Sequence, residues 1–192
     1  MCKHYWQPFS VSRKAHSGFS LVEALVVVAI SLVVIGMAAK AMFSAVNTYR
    51  VDTAGNQLAS LVHVAKMKAA AHNTRYRVVN YANAYGMERY NRTTDVWETD
   101  PGSAAFNLPR GVAFSTSSPT AISTPAPGMD SVAEATSLTY NTRALLVDDS
   151  GVMLDGGCFY LQGSTLRPIA VCSNLPGKVT QYRWNGSAWE VK

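Results

Sequence analysis

The sequence predicts an α+β chain in which a long N-terminal helix, its first half membrane-spanning, leads into a β-rich C-terminal domain. Three observations point there. Residues 19–39 form an apolar run whose one charge is Glu23. Apolar residues then recur at mostly three- and four-residue spacing as far as Ala69, the helical period, and no proline falls between Phe19 and Arg75. From Arg75 onward the apolar runs are short, rich in Val, Tyr, Phe and Trp, and separated by turn residues, which is an all-β pattern.

A chain of 192 residues has room for one domain and one additional element. Its formal charge is +5, from 17 Lys and Arg against 12 Asp and Glu. Three of those bases, Lys3, Arg13 and Lys14, precede Gly18 and no acid does, so 14 bases against 12 acids leave +2 for the remainder. Bulk charge therefore gives that remainder no strong nucleic-acid signal. Of the three cysteines, Cys2 lies in the basic leader. Cys158 and Cys172 remain as an even pair, which suits an oxidising compartment.

Residues 1–18 read as a leader, 19–39 as a transmembrane helix, 40–72 as its amphipathic continuation and 73–192 as the β-rich domain. The leader is polar and basic. A secretory signal carries its apolar region ahead of the cleavage site, whereas here the apolar run follows Gly18. A cut between Gly18 and Phe19 removes the basic part and keeps the helix. About 20 residues cross a bilayer core as a helix, which residues 19–39 just supply. Their Val and Ile content lowers helix propensity slightly, but in lipid the need to pair every backbone group internally overrides it. Arg13 and Lys14 at the N-terminal flank keep the leader cytoplasmic and export the C-terminal domain. Lys40 closes the run within snorkelling reach of the opposite interface.

Glu23 is the anomaly in this run. A charge there costs several kcal/mol unless something pairs with it, so an intramembrane acid marks function. Gly18-Phe19-Ser20-Leu21-Val22-Glu23, behind a basic leader and ahead of an apolar run, resembles the prepilin cleavage and methylation signature of type IV pilins and type II secretion pseudopilins. The resemblance implies that a membrane aspartic peptidase, the prepilin peptidase, cuts after Gly18 and N-methylates Phe19. It also implies that Glu23 serves assembly with other pilin or pseudopilin subunits. In a filament Glu23 would sit among apolar helices, where the N-terminal amine of an adjacent subunit neutralises it and rewards the correct axial register. The plain alternative is a signal anchor with a stray glutamate.

The helical pattern continues through Phe43, Val46, Tyr49, Ala54, Leu58, Leu61, Ala65 and Ala69, with Asn47, Arg50, Asp52, Gln57, Lys66 and Lys68 on a wet face. One helix to about His72 would be about 80 Å long at 1.5 Å per residue. Gly36 and Gly55 are its weak points. Many major pilins carry a proline near the position of Lys40, and its absence leans towards a minor subunit. His63 and His72 lie on different helix faces with no Cys or acid at ligand spacing, so no metal site is expected.

Candidate strands are residues 75–81, 87–91, 96–98, 112–115, 137–140, 152–154, 158–161, 166–171, 179–184 and 189–191. Asn83-Ala84-Tyr85-Gly86 reads as one hairpin connection and Asn185-Gly186 as another, of a type I′ kind. Residues 115–128, rich in Ser, Thr and Pro, read as an exposed loop. The stretch Phe106-Asn107-Leu108-Pro109-Arg110-Gly111-Val112-Ala113-Phe114 resembles a strand entry of the GspH/FimT family of minor pseudopilins and minor pilins. Asn141-Thr142-Arg143 resembles that family's Asn-Ser-Arg segment, and residues 171–183 its closing hairpin. This resemblance implies a β domain of two sheets packed against the helix. Cys158 and Cys172 flank a hairpin with Gly163-Ser164 near its tip. A disulfide there would contribute about 3 kcal/mol, with free thiols as the alternative.

No enzyme is expected. Asp149-Ser150-Gly151 matches the short element of aspartic proteases, but that chemistry needs a second, facing copy and none exists. It reads as a polar turn between Leu146 and Val152. Asp148, Asp149 and Asp155 carry the oxygens calcium takes, yet their spacing matches no EF-hand. There is no nucleophile elbow, phosphate loop or Cys-x-x-Cys, and no cofactor is expected. Lys178, Arg183 and Lys192, interleaved with Tyr182, Trp184 and Trp189, are candidates for single-stranded nucleic acid. Some FimT-like proteins are DNA receptors through a basic C-terminal Gly-Arg element, but Gly177-Lys178 stands at the matching place here. The alternative is an edge hairpin with its two Trp packed across it. The whole reads as a minor pilin or pseudopilin of the bacterial inner membrane, its β domain periplasmic. The runners-up are a DNA-uptake pilin and a membrane-anchored domain that never polymerises.

Overall fold

The computed structural model describes residues 20–81, 83–103, 105–114, 135–163 and 167–192. Gly18, Phe19 and the Ser/Thr/Pro-rich residues 115–128 lie outside the described residues. The chain divides into two compact units, Met1–Ala41 and Met42–Lys192. Its helix, α1, runs Leu21–Ala71 over 51 residues.

In the first unit the described helix residues are exposed on every face, including Leu25, Val28, Ile30, Leu32, Ile35 and Met37. A helix apolar all round wants lipid or other helices around it. Among the described residues α1 is the helix long and apolar enough to cross a membrane. Ser31 keeps its hydroxyl satisfied inside the helix, donating to the carbonyl of Val27 at 2.7 Å.

In the second unit α1 becomes one-sided. Val51, Ala54, Gly55, Leu58, Leu61, Val62, Ala65 and Ala69 are buried, the i, i+3, i+4, i+7 stripe of a helix on a core. Phe43 and Tyr49, expected on that stripe, are 71% and 72% exposed. Tyr49 sits two residues before Val51, about 200° around the helix, and so points away from the core. The helix ends one turn short of Tyr76, with Asn73 in the left-handed region at φ 49°, a helix-ending conformation that Asn tolerates.

Two antiparallel sheets complete this unit. Strands β1 (Tyr76–Tyr81), β2 (Ala84–Asn91), β3 (Val96–Thr99), β4 (Phe106–Asn107), β5 (Ala113–Phe114) and β6 (Ser137–Tyr140) come first. Then follow β7 (Leu146–Val147), β8 (Gly156–Gln162), β9 (Ile169–Asn174), β10 (Val179–Trp184) and β11 (Trp189–Val191). The first sheet has the order β3-β2-β1-β6-β7, with β4 also pairing to β2, and the second has the order β11-β10-β9-β8-β5. One core joins the helix stripe to Tyr76, Val78, Met87, Leu138 and Tyr140 of the first sheet and Phe159, Leu161, Ile169 and Val171 of the second. The buried Tyr140 hydroxyl lies 2.6 Å from Ser173 Oγ and bridges the sheets.

Several expectations need correction. Residues 152–154 form no strand: Val152, Met153 and Leu154 are exposed, and one isolated bridge, Met153 to Val147, is all that pairs them. The first hairpin turns two residues earlier than expected, since Tyr81 pairs with Ala84, and Tyr85 is buried in β2 rather than in a turn. The last hairpin is not a two-residue type I′ turn. Trp184 pairs with Trp189, leaving a four-residue loop in which Asn185 Oδ1 accepts the backbone N–H of Ser187 and Ala188. Gly55 is not a weak point. A Cβ there would lie 3.1 Å from Ile169 Cγ2, so the missing side chain lets α1 approach β9.

Candidate functional site

The site begins where the helix begins. Ser20 precedes the first helical residue, and its Oγ accepts the backbone N–H of Glu23 at 3.2 Å, while its carbonyl accepts the N–H of Ala24 at 3.1 Å. Ser20 is therefore the N-cap and Glu23 the third helical residue, the spacing of a capping box. A carboxylate in the first turn also meets the positive end of the helix dipole. Glu23 thus has a local reason to stand there before any partner is considered. The Ser-x-x-Glu spacing ahead of an apolar run was the signal for it in the sequence. Glu23 is exposed.

The basic residues at the C-terminus are differently placed. Arg183, on β10, pairs with Asp52 of α1 at 2.5 Å, and Lys192 reaches the same Asp52 oxygen at 3.2 Å. Lys178 is exposed. The turn just before it is clamped: Lys66 of α1 donates to the carbonyls of Gly177 at 2.9 Å and Pro176 at 3.2 Å. Trp184 and Trp189 meet edge to face at 5.5 Å across the hairpin. Two of the three cations proposed for nucleic acid are thus engaged with an acid of their own chain.

Cys158 and Cys172 face each other in the register of β8 and β9 and form a disulfide, with Cα atoms 4.1 Å apart. They lie on the opposite side of the second sheet from Phe159 and Val171, in a smaller cluster with Tyr160, Ala170 and Tyr182. Burial raises the pKa of Tyr182, and a hydrogen bond from Thr180 lowers it less.

The acids of the Asp-Ser-Gly turn are structural ligands of the first sheet. Asp149 accepts Arg77 at 2.7 Å and Thr139 at 2.8 Å, and Asp148 Oδ1 accepts the N–H of Val152. Among the described residues no three His, Cys, Asp or Glu side chains gather as for a metal ion. His63 and His72 are exposed.

A family model matches the N-terminus, and a solved structure is similar over a longer stretch. No curated protein matches the chain. Among solved structures, the minor pseudopilin EpsH from the Type 2 Secretion System of Vibrio cholerae is similar at 9% identity, over 69% of this chain and 95% of that one, with a TM-score of 0.47. Residues 13–39 match the prokaryotic N-terminal methylation motif, so Ser20 and Glu23 stand inside a methylation-type N-terminus that continues into the exposed apolar part of α1.

Proposed function

We propose that the chain is a minor pilin or pseudopilin subunit of the bacterial inner membrane, processed between Gly18 and Phe19 and methylated on Phe19. The observation that carries this reading is the methylation motif over residues 13–39, whose residues from Leu21 onward are helical and have their apolar side chains uncovered on all faces. Such a helix asks for lipid before assembly and for neighbouring helices after it. Glu23 is the polar mark on that surface. In a filament its carboxylate meets the methylated amine of a neighbour and fixes the axial register. The leader faces the cytoplasm and the β domain the periplasm. The subunit primes, caps or decorates a filament.

Two measurements test this. Mass spectrometry of the membrane-extracted protein should give a chain beginning at a methylated Phe19. Glu23→Gln keeps an N3 side chain able to complete the capping box but removes the charge, whereas Glu23→Ala removes both. If the charge sets register, both variants fail to enter filaments with the other minor subunits. If Glu23→Gln enters as well as wild type, Glu23 only starts the helix.

A further inference from the structure

Two cavities open side by side where α1 ends against the first sheet. One, of about 350 Å³, is lined by Arg75, Tyr90, Arg92, Asn141, Thr142 and Ser150 among others. The second, of about 460 Å³, shares Tyr90 and Arg92 and adds His72 and Arg89. No acidic side chain lines either cavity among the described residues.

The charge around them is uneven. Arg77, on the face of the same sheet, is balanced by Glu88 and Asp149, each at 2.7 Å. Arg89 reaches Glu98 only at 3.7 Å. Arg75 and Arg92 have no carboxylate within ion-pair distance among the described residues. Both are nevertheless held in place. Arg75 lies over the Tyr90 ring at 4.0 Å and donates to the Asp149 backbone carbonyl at 2.8 Å. Arg92 donates to the Asn73 carbonyl at 2.6 Å, just past the helix end. Neutral partners fix these two guanidinium groups without cancelling their charge. A side chain ordered in advance loses less entropy when a ligand arrives.

The aromatic groups beside the cavities are already engaged. Tyr90 carries Arg75, and Trp97 carries Arg77 at 4.3 Å and meets Tyr90 edge to face at 5.3 Å. Tyr90 and Trp97 thus each have a ring face already taken by a guanidinium, which leaves less ring for nucleic acid bases to stack on. What remains on offer is charge, forked N–H donors and the hydroxyls of Thr142 and Ser150. We propose that this double cavity is a docking site for an acidic segment of a partner protein, its carboxylates taken by Arg75 and Arg92. Forked, charge-assisted hydrogen bonds suit carboxylates in particular. The proposal uses none of residues 1–41 and stands independently of the assembly reading.

The test uses the full-length protein in detergent micelles and a fluorescein-labelled hexaglutamate peptide, with binding followed by fluorescence anisotropy. Saturable binding at low salt is expected, weakening as salt rises. Arg92→Gln should weaken it about tenfold or more. Ser150→Glu, which leaves both arginines in place and adds an anion at the rim, should do the same. Arg167→Gln, outside both cavities, should bind as wild type, and circular dichroism should report an unchanged fold for all three. The proposal is overturned if hexaglutamate does not bind at low salt, or if Arg92→Gln and Ser150→Glu bind like wild type. It is also overturned if an oligothymidylate of equal charge binds as tightly, since the surface would then be a general polyanion site.

Discussion

Asp52 and Arg183 close an ion pair at 2.5 Å although 131 residues separate them in the chain. The pair ties α1 to β10, and Lys192 joins it at the same oxygen. The side chains are a quarter to a third exposed, so the group contributes only about 1 kcal/mol. Its larger effect is on charge, because Asp52 offsets one of the two positive charges of Arg183 and Lys192 at that edge. Asp52→Asn should lower the melting temperature by about 2–4 °C. It should also make the full chain shift single-stranded DNA at low salt more than wild type does. An unchanged gel shift would mean that the hairpin has no latent affinity to unmask.

Gly177 occupies a place no other residue fills without strain. Its φ is +71°, and a Cβ would meet the Ala144 carbonyl oxygen at 2.8 Å and the Lys66 stem at 2.9 Å. Gly177→Ala should therefore destabilise the second unit by about 1–3 kcal/mol, read from urea unfolding. Lys66→Met, which keeps the stem and removes the two carbonyl contacts, should cost less.

Gly55 makes the same argument on the helix. An added Ala favours a helix by about 1 kcal/mol, but here the side chain points at Ile169, which is 1% exposed and packed in the core. Gly55→Val should destabilise by about 1–3 kcal/mol through overpacking. Adding Ile169→Ala should recover part of that loss, since the two changes share one space. Additive losses in the double variant would show that the close approach is not what the glycine serves.

These cases mark what the sequence could and could not say. Ala54, Leu58, Leu61, Ala65 and Ala69 were legible because a 3.6-residue period is strong over four turns, whereas the buried Val51 and Val62 of the same stripe were not read. Phe43 and Tyr49 continue an apolar pattern without being covered, and coverage is a tertiary fact. β4 and β7 have two residues each, too few for alternation to register. Residues 152–154 have strand composition but find only one bridge, so composition overstated them. Glu23 was legible as an anomaly, whereas its capping role needed attention to Ser20. Arg75 and Arg92 carry no spacing signal at all, since strand pairing brings them to one cavity.

Alkaline pH should weaken the second unit. Burial raises the pKa of Tyr140, with a smaller opposing effect from the Ser173 hydrogen bond, and burial likewise raises Tyr76, Tyr81 and Tyr85. Below about pH 10, the ordinary tyrosine value, both folded and unfolded chains keep these protons and the contribution is whole. Above it the unfolded chain releases protons first, so stability falls as pH rises through the folded values. Urea midpoints between pH 8 and pH 11 should decline. Tyr140→Phe should flatten that decline while costing about 1 kcal/mol at neutral pH, because Ser173 loses its partner. An equally steep decline in Tyr140→Phe would assign the effect to other groups.

The disulfide should govern how the second unit survives outside the cell's reducing spaces. It joins residues 14 apart, and closing a loop of that size constrains the unfolded chain by about 3 kcal/mol. Both cysteines are fully buried, on the side of β8 and β9 away from the main core. Reductant should therefore reach the bond only after the unit opens. Dithiothreitol alone should leave it intact over hours at neutral pH, and dithiothreitol with partial urea should reduce it at the rate of unfolding. Cys158→Ser with Cys172→Ser should lower stability by about 2–4 kcal/mol and keep the fold, because the register of β8 with β9 runs over six residue pairs and does not depend on the bridge. Rapid reduction under native conditions would show that this part of the sheet opens locally, without global unfolding.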